Sequence, residues 1–127
     1  MIKTKAIFLF LLLVVLGCEE SESKRIREFQ LPEIDLSEIE DGTYTGQFIH
    51  HDNVYETDVI MKDHRIDDIQ VLQWEGDKYD QRALVIMQRV IEKQSLQVDV
   101  VTGATKSSKI YLITIYNALS GEEIVID

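Results

Sequence analysis

The 127-residue sequence predicts an α+β fold, in which an antiparallel sheet of three or more strands is followed by two helices that flank a short loop. Three observations support this prediction. Three stretches between residues 43 and 74 are rich in alternating or β-branched residues, short turns separate them, and helical periodicity then replaces the alternation. Because 45% of the residues are apolar, the chain can form one domain with an ordinary core.

Residues 1–17 are predicted to be a signal peptide and not part of this domain. Lys3 and Lys5 precede an uninterrupted apolar run from Ala6 to Leu16, after which the sequence becomes strongly charged. Eleven helical residues extend roughly 17 Å, which is too short for the roughly 30 Å hydrocarbon core of a bilayer. The run therefore indicates export and not a membrane span.

Cys18 is the only cysteine, so an internal disulfide is excluded. It directly follows Val15-Leu16-Gly17, and this arrangement resembles the lipobox of bacterial lipoproteins. The resemblance implies that Cys18 becomes the lipidated first residue of the mature chain, anchored in a lipid bilayer and facing the outside of the cytoplasm. The alternative is a cysteine that happens to end an apolar segment.

Residues 18–40 are predicted to be an acidic tether between the lipid and the domain at residues 41–127. They contain the only proline, Pro32, and show no sustained periodicity. Only about the first ten are expected to be free, because the later segment LPEIDLSEI carries apolar residues that could pack along the domain.

Three strands are predicted after the turn signal Asp41-Gly42. They cover Thr43–His50, Val54–Lys62 and Arg65–Trp74, the last with imperfect alternation. In the second strand, one face is predicted to carry Tyr55, Thr57, Val59 and Met61. Short turns between consecutive strands predict an antiparallel meander.

Two helices are predicted next. Tyr79–Ser95 has apolar residues at helical spacing and polar residues elsewhere, which is typical of an amphipathic helix. Ser107–Leu119 also fits a helix, although its β-branched residues leave a strand as the alternative. The final residues, EEIVID, leave open a last strand.

The net charge argues against nucleic acid as a partner. The formal charge is −10, and it becomes about −12 once Lys3 and Lys5 are removed with the signal peptide, so phosphates would be repelled. The acidic positions of the predicted strands are most simply a solvated sheet face.

The stretch Thr102-Gly103-Ala104-Thr105 directly precedes the last predicted helix. The first N–H groups of a helix lack partners and carry partial positive charge, so they favour a phosphate. Gly103 and Ala104 leave access open, Thr105 offers a hydroxyl, and Lys106 adds a positive charge. The alternative is that Thr105 or Ser107 is only a helix N-cap. The spacing fits neither a P-loop nor a Ser-x-x-Lys nucleophile.

Several segments together resemble the FMN-binding domain of the C and G subunits of sodium-pumping NADH:quinone reductase and Rnf complexes, and of small membrane lipoproteins. They are DGTYTG at residues 41–46, the helix that runs into QSLQVDVVTGAT, and KSS with the final helix. The family's flavinylation motif has an Asp, two variable residues, Ser or Thr, Gly, Ala and the acceptor Ser or Thr. The motif positions are filled by Asp99, Thr102, Gly103, Ala104 and Thr105.

The resemblance implies that a flavin transferase, using FAD and a divalent metal, attaches FMN to Thr105 through a phosphoester. Asp99 would belong to the motif that the transferase recognises. The cofactor-binding residues that we predict are Asp99, Thr102, Gly103, Ala104, Thr105, Lys106 and Ser107. The predicted function is electron transfer between a membrane redox partner and an acceptor outside the cytoplasm. The alternatives are a binding or assembly module with flavin absent or non-covalent, and the flavin subunit of a larger reductase.

Aromatic and histidine side chains are weaker candidates. The residues that could stack on a flavin ring, or could equally be core or surface residues, are Tyr44, Tyr55, Trp74 and Tyr79. His50, His51 and His64 do not predict a metal site, because adjacent residues on a strand point to opposite faces and the third lies in another turn.

Overall fold

The computed structural model describes residues 21–73 and 77–126. The predicted signal peptide, Cys18, Trp74 and Asp127 lie outside the described residues. In chain order the elements are α1 (Glu22–Glu28), a 3-10 turn (Leu36–Glu38), β1 (Gly42–His50), β2 (Asn53–Lys62), β3 (Arg65–Gln73), α2 (Lys78–Ala83), α3 (Val85–Lys93) and α4 (Thr105–Ser120). The α+β class predicted from the sequence is confirmed.

The three strands form one antiparallel sheet in the order β1-β2-β3, which confirms the predicted meander. The buried face of β2 carries Tyr55, Thr57, Val59 and Met61, as its alternation predicted. The pairing of β2 with β3 shifts register at Glu56/Thr57 and at Ile60/Met61. These irregularities explain the imperfect alternation of β3, because an extra residue on one strand interrupts the two-residue period.

Helix α4 is the centre of the core, and it packs across β1 and β2. Every residue from Ile110 to Leu119 is buried, so the helix has no solvent face. A helix that is apolar on nearly all sides is stable only when other elements enclose it. Here α1, α2 and the sheet do so, which is why the β-branched segment is a helix and not a strand. No helix within the described ranges is both long and apolar enough to cross a bilayer.

Residues 122–126 do not form the last strand that the sequence left open. Instead the side chain of Asn117 holds them, with Oδ1 accepting a hydrogen bond from the Ile124 N–H at 3.0 Å. The same side chain donates through Nδ2 to the Gln47 carbonyl at 2.8 Å. Asn117 therefore satisfies backbone groups that a further strand would otherwise pair.

The single helix predicted for residues 79–95 is wrong, because the segment forms two helices that meet at Leu84. The Leu84 N–H donates to the Gln81 carbonyl and the Met87 N–H to the Leu84 carbonyl, which are tighter turns than an α-helix makes. Helix α2 packs on α4, whereas α3 packs mainly on β3. The change of direction lets each short helix bury its own apolar side.

The segment predicted as a tether contributes to the core from α1 onwards. Ile26 is fully buried, and Leu31 is buried with it. The Lys109 ammonium of α4 donates to the Phe29 carbonyl at 2.7 Å, which fixes the end of α1. Helix α1 has only seven residues, too few for a periodic pattern to show in the sequence.

Gly46 brings β1 into direct contact with the backbone of α4. A Cβ atom at this position would lie 2.0 Å from the Thr114 carbonyl oxygen and 2.5 Å from the Ala118 nitrogen. Both neighbours are backbone atoms of a fully packed helix, so they cannot move aside as a flexible side chain could.

We predict that Gly46→Ala destabilises the protein by about 1–3 kcal/mol or more, because the added methyl forces α4 away from the sheet. Urea unfolding followed by circular dichroism measures the change. Gly121→Ala is the matched control, because a Cβ there meets nothing within 4 Å and costs only the strain of a positive φ. An equal effect of the two substitutions would contradict the close-contact explanation.

We also predict that Ile26→Ala lowers the free energy of unfolding by about 2–5 kcal/mol, as expected for a large-to-small change in a core. Ile49→Ala should cost less than about 1 kcal/mol, since that side chain is 57% exposed and Ile26 is 0% exposed. Thermal unfolding of the two variants compares the same substitution at a buried position and at an exposed one. If Ile26→Ala were as mild as Ile49→Ala, α1 would not be part of the core.

Candidate functional site

A cavity of about 500 Å³ lies where α1, the β1–β2 turn, α2 and the start of α4 meet. Two aromatic side chains, a buried carboxylate and the predicted motif contribute to its wall. The residues that line the cavity include Tyr55, Tyr79, Asp80, Gly103, Thr105 and Lys106.

Helix α4 begins at this cavity without a side-chain cap. Ala104 occupies the N-cap position, and the first backbone hydrogen bond runs from the Ser108 N–H to the Ala104 carbonyl at 2.9 Å. Thr105 and Ser107 lie inside the first turn, so the alternative that either one is the N-cap is wrong. The N–H groups of residues 105–107 are left without intrahelical partners, which is the arrangement that favours an anion.

The loop before α4 is held by hydrogen bonds on both sides. The Val101 N–H donates to Ser108 Oγ at 3.1 Å, and the Ala104 N–H donates to the Val101 carbonyl at 2.9 Å. Arg89 donates to the Asp99 carbonyl at 2.8 Å. Ala104 is buried, which limits that position to a small side chain. These hydrogen bonds and the buried Ala104 define the conformation of the motif.

Gly103 occupies the most restricted position of the loop. Its φ of +82° lies in a region that side chains with a Cβ rarely adopt. The Arg82 guanidinium is close by, since Nη1 lies 3.4 Å from where a Cβ of residue 103 would be. The glycine thus satisfies a backbone requirement and leaves a positive charge beside the loop.

The two threonines of the motif face different surroundings. Thr105 is half-buried and lines the cavity, and its hydroxyl forms no hydrogen bond with another described residue. Thr102 and Asp99 are exposed and line a separate, more open depression together with Arg89 and Lys93. Of the predicted site residues, the structure brings Gly103, Ala104, Thr105, Lys106 and Ser107 to the cavity, and it places Asp99 and Thr102 outside it.

Comparison with known families shows which family the chain belongs to. The profile of the FMN-binding domain matches residues 38–120, which is more than half of the chain. The chain belongs to the FMN-binding domain family. Its cofactor is therefore FMN. No curated protein matches the chain significantly.

The cavity of this FMN-binding domain fits such a cofactor by size and by its donors. Its volume of about 500 Å³ lies within the range of about 300–1,000 Å³ that is usual for ligand sites. The unpartnered N–H groups of α4 and the cations Lys106 and Arg27 suit a phosphate. Tyr55 and Tyr79 offer aromatic surface for a planar ring system.

The other two aromatic candidates are not part of this group. Tyr44 lies elsewhere and donates its hydroxyl hydrogen bond to the Glu40 carbonyl at 2.7 Å. Trp74 lies outside the described residues. Tyr55 and Tyr79 thus remain the residues that could contact the ring.

Asp80 is a buried carboxylate in the cavity wall that the sequence analysis did not single out. It is 1% exposed and accepts a hydrogen bond from the Tyr55 hydroxyl at 3.3 Å. Burial raises the pKa of the Asp80 carboxyl, while hydrogen bonding with Ser107 acts in the opposite direction. Burial also raises the pKa of Tyr55 to about 12, with a further increase from the neighbouring charge of Asp80. Nothing in the local sequence distinguishes this aspartate from the many on the surface.

Tyr111 lies beneath this pair, with its ring 5.8 Å from that of Tyr55 in an edge-to-face arrangement. Its hydroxyl is buried and has no hydrogen-bond partner among the described residues. The pKa of Tyr111 is strongly raised, chiefly because burial disfavours its charged form. Phenol side chains thus lie next to the buried Asp80 carboxylate, with Tyr55 in the cavity wall and Tyr111 beneath it.

The histidines are closer together than the sequence analysis expected. The inference that His50 and His51 point to opposite faces is wrong, because the strand ends at His50 and His51 has a left-handed φ of +54°. Their ring centroids are 4.2 Å apart, and both rings line the cavity. The hydrogen bond with His50 lowers the pKa of Glu22, which reaches the pair from α1. His64 lies at a different turn and contacts the Ile39 carbonyl at 2.9 Å.

The raised pKa of Asp80 predicts a pH-dependent stability. The folded state binds this proton more tightly than the unfolded state does, so wild-type stability falls as the pH rises from about 3.8 through the raised folded pKa. Asp80→Asn cannot titrate, so the free energy of unfolding of the wild type should decrease relative to this variant over the same range. Urea unfolding of flavin-free protein between acid and neutral pH measures the difference.

The control for this prediction is Asp67→Asn, which removes a charge from an exposed position of β3. It should change the free energy of unfolding by less than about 0.5 kcal/mol at neutral pH. A difference between wild type and Asp80→Asn that stays constant with pH would contradict the buried-carboxylate interpretation.

Proposed function

We propose that this chain is a lipid-anchored electron-transfer protein outside the cytoplasm, with FMN covalently bound to Thr105 through a phosphoester. The observation that carries the proposal is the position of Thr105, which lines the cavity at an uncapped helix start and whose hydroxyl has no hydrogen-bond partner among the described residues. The other threonine of the motif, Thr102, lies outside the cavity.

In the attachment step, a flavin transferase would transfer the FMN part of FAD to the protein. Thr105 Oγ forms a bond to phosphorus, the pyrophosphate bond of FAD breaks, AMP leaves, and the hydroxyl proton is lost. A divalent metal on the transferase would neutralise charge on the pyrophosphate. The first motif residue, Asp99, is exposed and is therefore accessible to that enzyme, which supports recognition and not flavin contact as its role.

After attachment, residues of this chain would hold the phosphodiester and enclose the flavin ring. The N–H groups of residues 105–107 and the Lys106 ammonium would balance the one remaining negative charge. Arg27 of α1 adds a second cation from the opposite wall. FMN supplies the redox chemistry when bound, because its ring accepts and donates electrons. Tyr55 and Tyr79 would exclude water from the ring, while Asp80 holds Ser107 and Tyr55 in place.

A role as an electron carrier is supported by the cavity suited to FMN that the described residues provide. The family match leaves about forty residues, and the described part of these forms α1, the segment up to the 3-10 turn and a short tail. A membrane redox partner would supply or accept the electrons, and lipid on Cys18 would keep the protein at the bilayer.

We predict that the wild type, co-expressed with a flavin transferase, gains a mass equal to FMN less one water, and that Thr105→Ala does not. Thr105→Ser should retain the adduct, because serine offers the same hydroxyl. Intact-mass spectrometry of the protein extracted from membranes reports the adduct and the lipid on Cys18 together.

Thr43→Ala is the control for this experiment, since Thr43 is an exposed threonine of β1 outside the motif. It should carry flavin as the wild type does. An adduct that survives Thr105→Ala would contradict the assignment of Thr105. A wild type that gains no adduct would favour the binding or assembly module over the electron carrier.

A further inference from the structure

A cluster of potential metal ligands lies at the rim of the cavity and is used by neither the family motif nor the proposed attachment. It consists of Glu22 from α1, His50 at the end of β1 and His51 in the turn that follows. One ligand atom from each residue lies within 4.8 Å of the others. We propose that these three residues bind one divalent transition-metal ion of the zinc type, joining α1 to the β1–β2 turn.

The separations between the ligand atoms fit such an ion. Nδ1 of His50 is 3.0 Å from Oε1 of Glu22, and Nδ1 of His51 is 3.8 Å from Oε2. Ligands that lie about 2.1 Å from a tetrahedral metal are roughly 3.4 Å from one another, so the two distances bracket the required spacing. The ligand atoms of the three residues lie within 4.8 Å of one another, so we expect side-chain rotation to bring them onto one ion.

The backbone brings the histidines to this arrangement. Adjacent residues of a regular strand would point apart, but the positive φ of His51 turns its ring back towards His50. Histidine tolerates this conformation better than most residues with a side chain. His50 is buried and fixed, whereas the His51 side chain is 70% exposed. One ligand is thus rigid and the other is free to adjust.

The donor set selects the class of metal. Two imidazole nitrogens and one carboxylate oxygen suit zinc, copper, nickel or iron, whereas magnesium and calcium prefer oxygen ligands alone. Three protein ligands leave at least one coordination position open. The overall charge of −10 favours the approach of a cation from solution.

Binding would have a structural consequence at the cavity. Helix α1 supplies Ser23 and Arg27 to the cavity wall, and Glu22 is in the same helix. A metal that joins Glu22 to the β1–β2 turn would hold this wall in place. The site does not depend on the presence of FMN or on the identity of the residue that carries it.

Isothermal titration with Zn²⁺ tests the proposal on the full-length chain, produced in a host without flavin transferase and with a histidine-free tag at the C-terminus. We expect one zinc per chain, and binding that weakens at least about tenfold in Glu22→Gln and in His51→Asn. Asparagine keeps the tolerance for positive φ, so His51→Asn should leave the fold intact. His64→Ala, the control histidine, should change the affinity less than about twofold because it lies outside the cluster.

Two further measurements complete the test. Co²⁺ should give a visible absorption spectrum with the intensity of a four-coordinate site, and Zn²⁺ should abolish it. An equal concentration of Mg²⁺ should not compete. The proposal is overturned if the wild type binds no zinc, if either cluster variant binds as the wild type does, or if Mg²⁺ displaces the zinc. Because flavin is absent throughout, these outcomes leave the assignment of Thr105 untouched.

Discussion

The arrangement of the domain depends on the contact between β1 and α4, where Gly46 lets two backbones touch. This contact fixes α4 against the sheet along its buried length, with Asn117 and Lys109 adding hydrogen bonds to neighbouring segments. A helix of sixteen residues extends about 24 Å, so its first turn is placed by packing far from that turn. The start of α4 at the cavity is therefore positioned by the packing of the whole helix.

The cations around the site are opposite in sign to the net charge of the chain. The protein is strongly acidic, yet Arg27, Arg82 and Lys106 lie around the motif. Negative charge is also present, because the buried Asp80 interacts with Ser107 in the first turn of α4. The Asp80 carboxylate orders the groups around it, and its raised pKa reflects the free-energy cost of burying a charge. A bound phosphodiester would lie near this charge, so the cations at the rim balance both.

The sequence predicts the sheet and the motif well, because both depend on local patterns. The alternation of β2 and the spacing of the TGAT segment are visible in a single chain. Helix α1 could not be predicted, since its packing rests on one buried residue, Ile26, and on partners far along the chain. The break at Leu84 arises because α2 and α3 pack on different elements, which a continuous periodicity hides. The close approach of the His50 and His51 rings depends on one backbone angle, the φ of His51, which the residue types do not specify.

The position of α1 also determines where the cofactor could meet other molecules. Glu22 follows Cys18 by four residues, and an extended chain of that length reaches about 14 Å at most. With the lipid on Cys18 that we propose, the wall formed by Ser23 and Arg27 would stay next to the surface of the bilayer. The search for a redox partner would then take place in two dimensions, and a partner in the same membrane would be present at a high effective concentration.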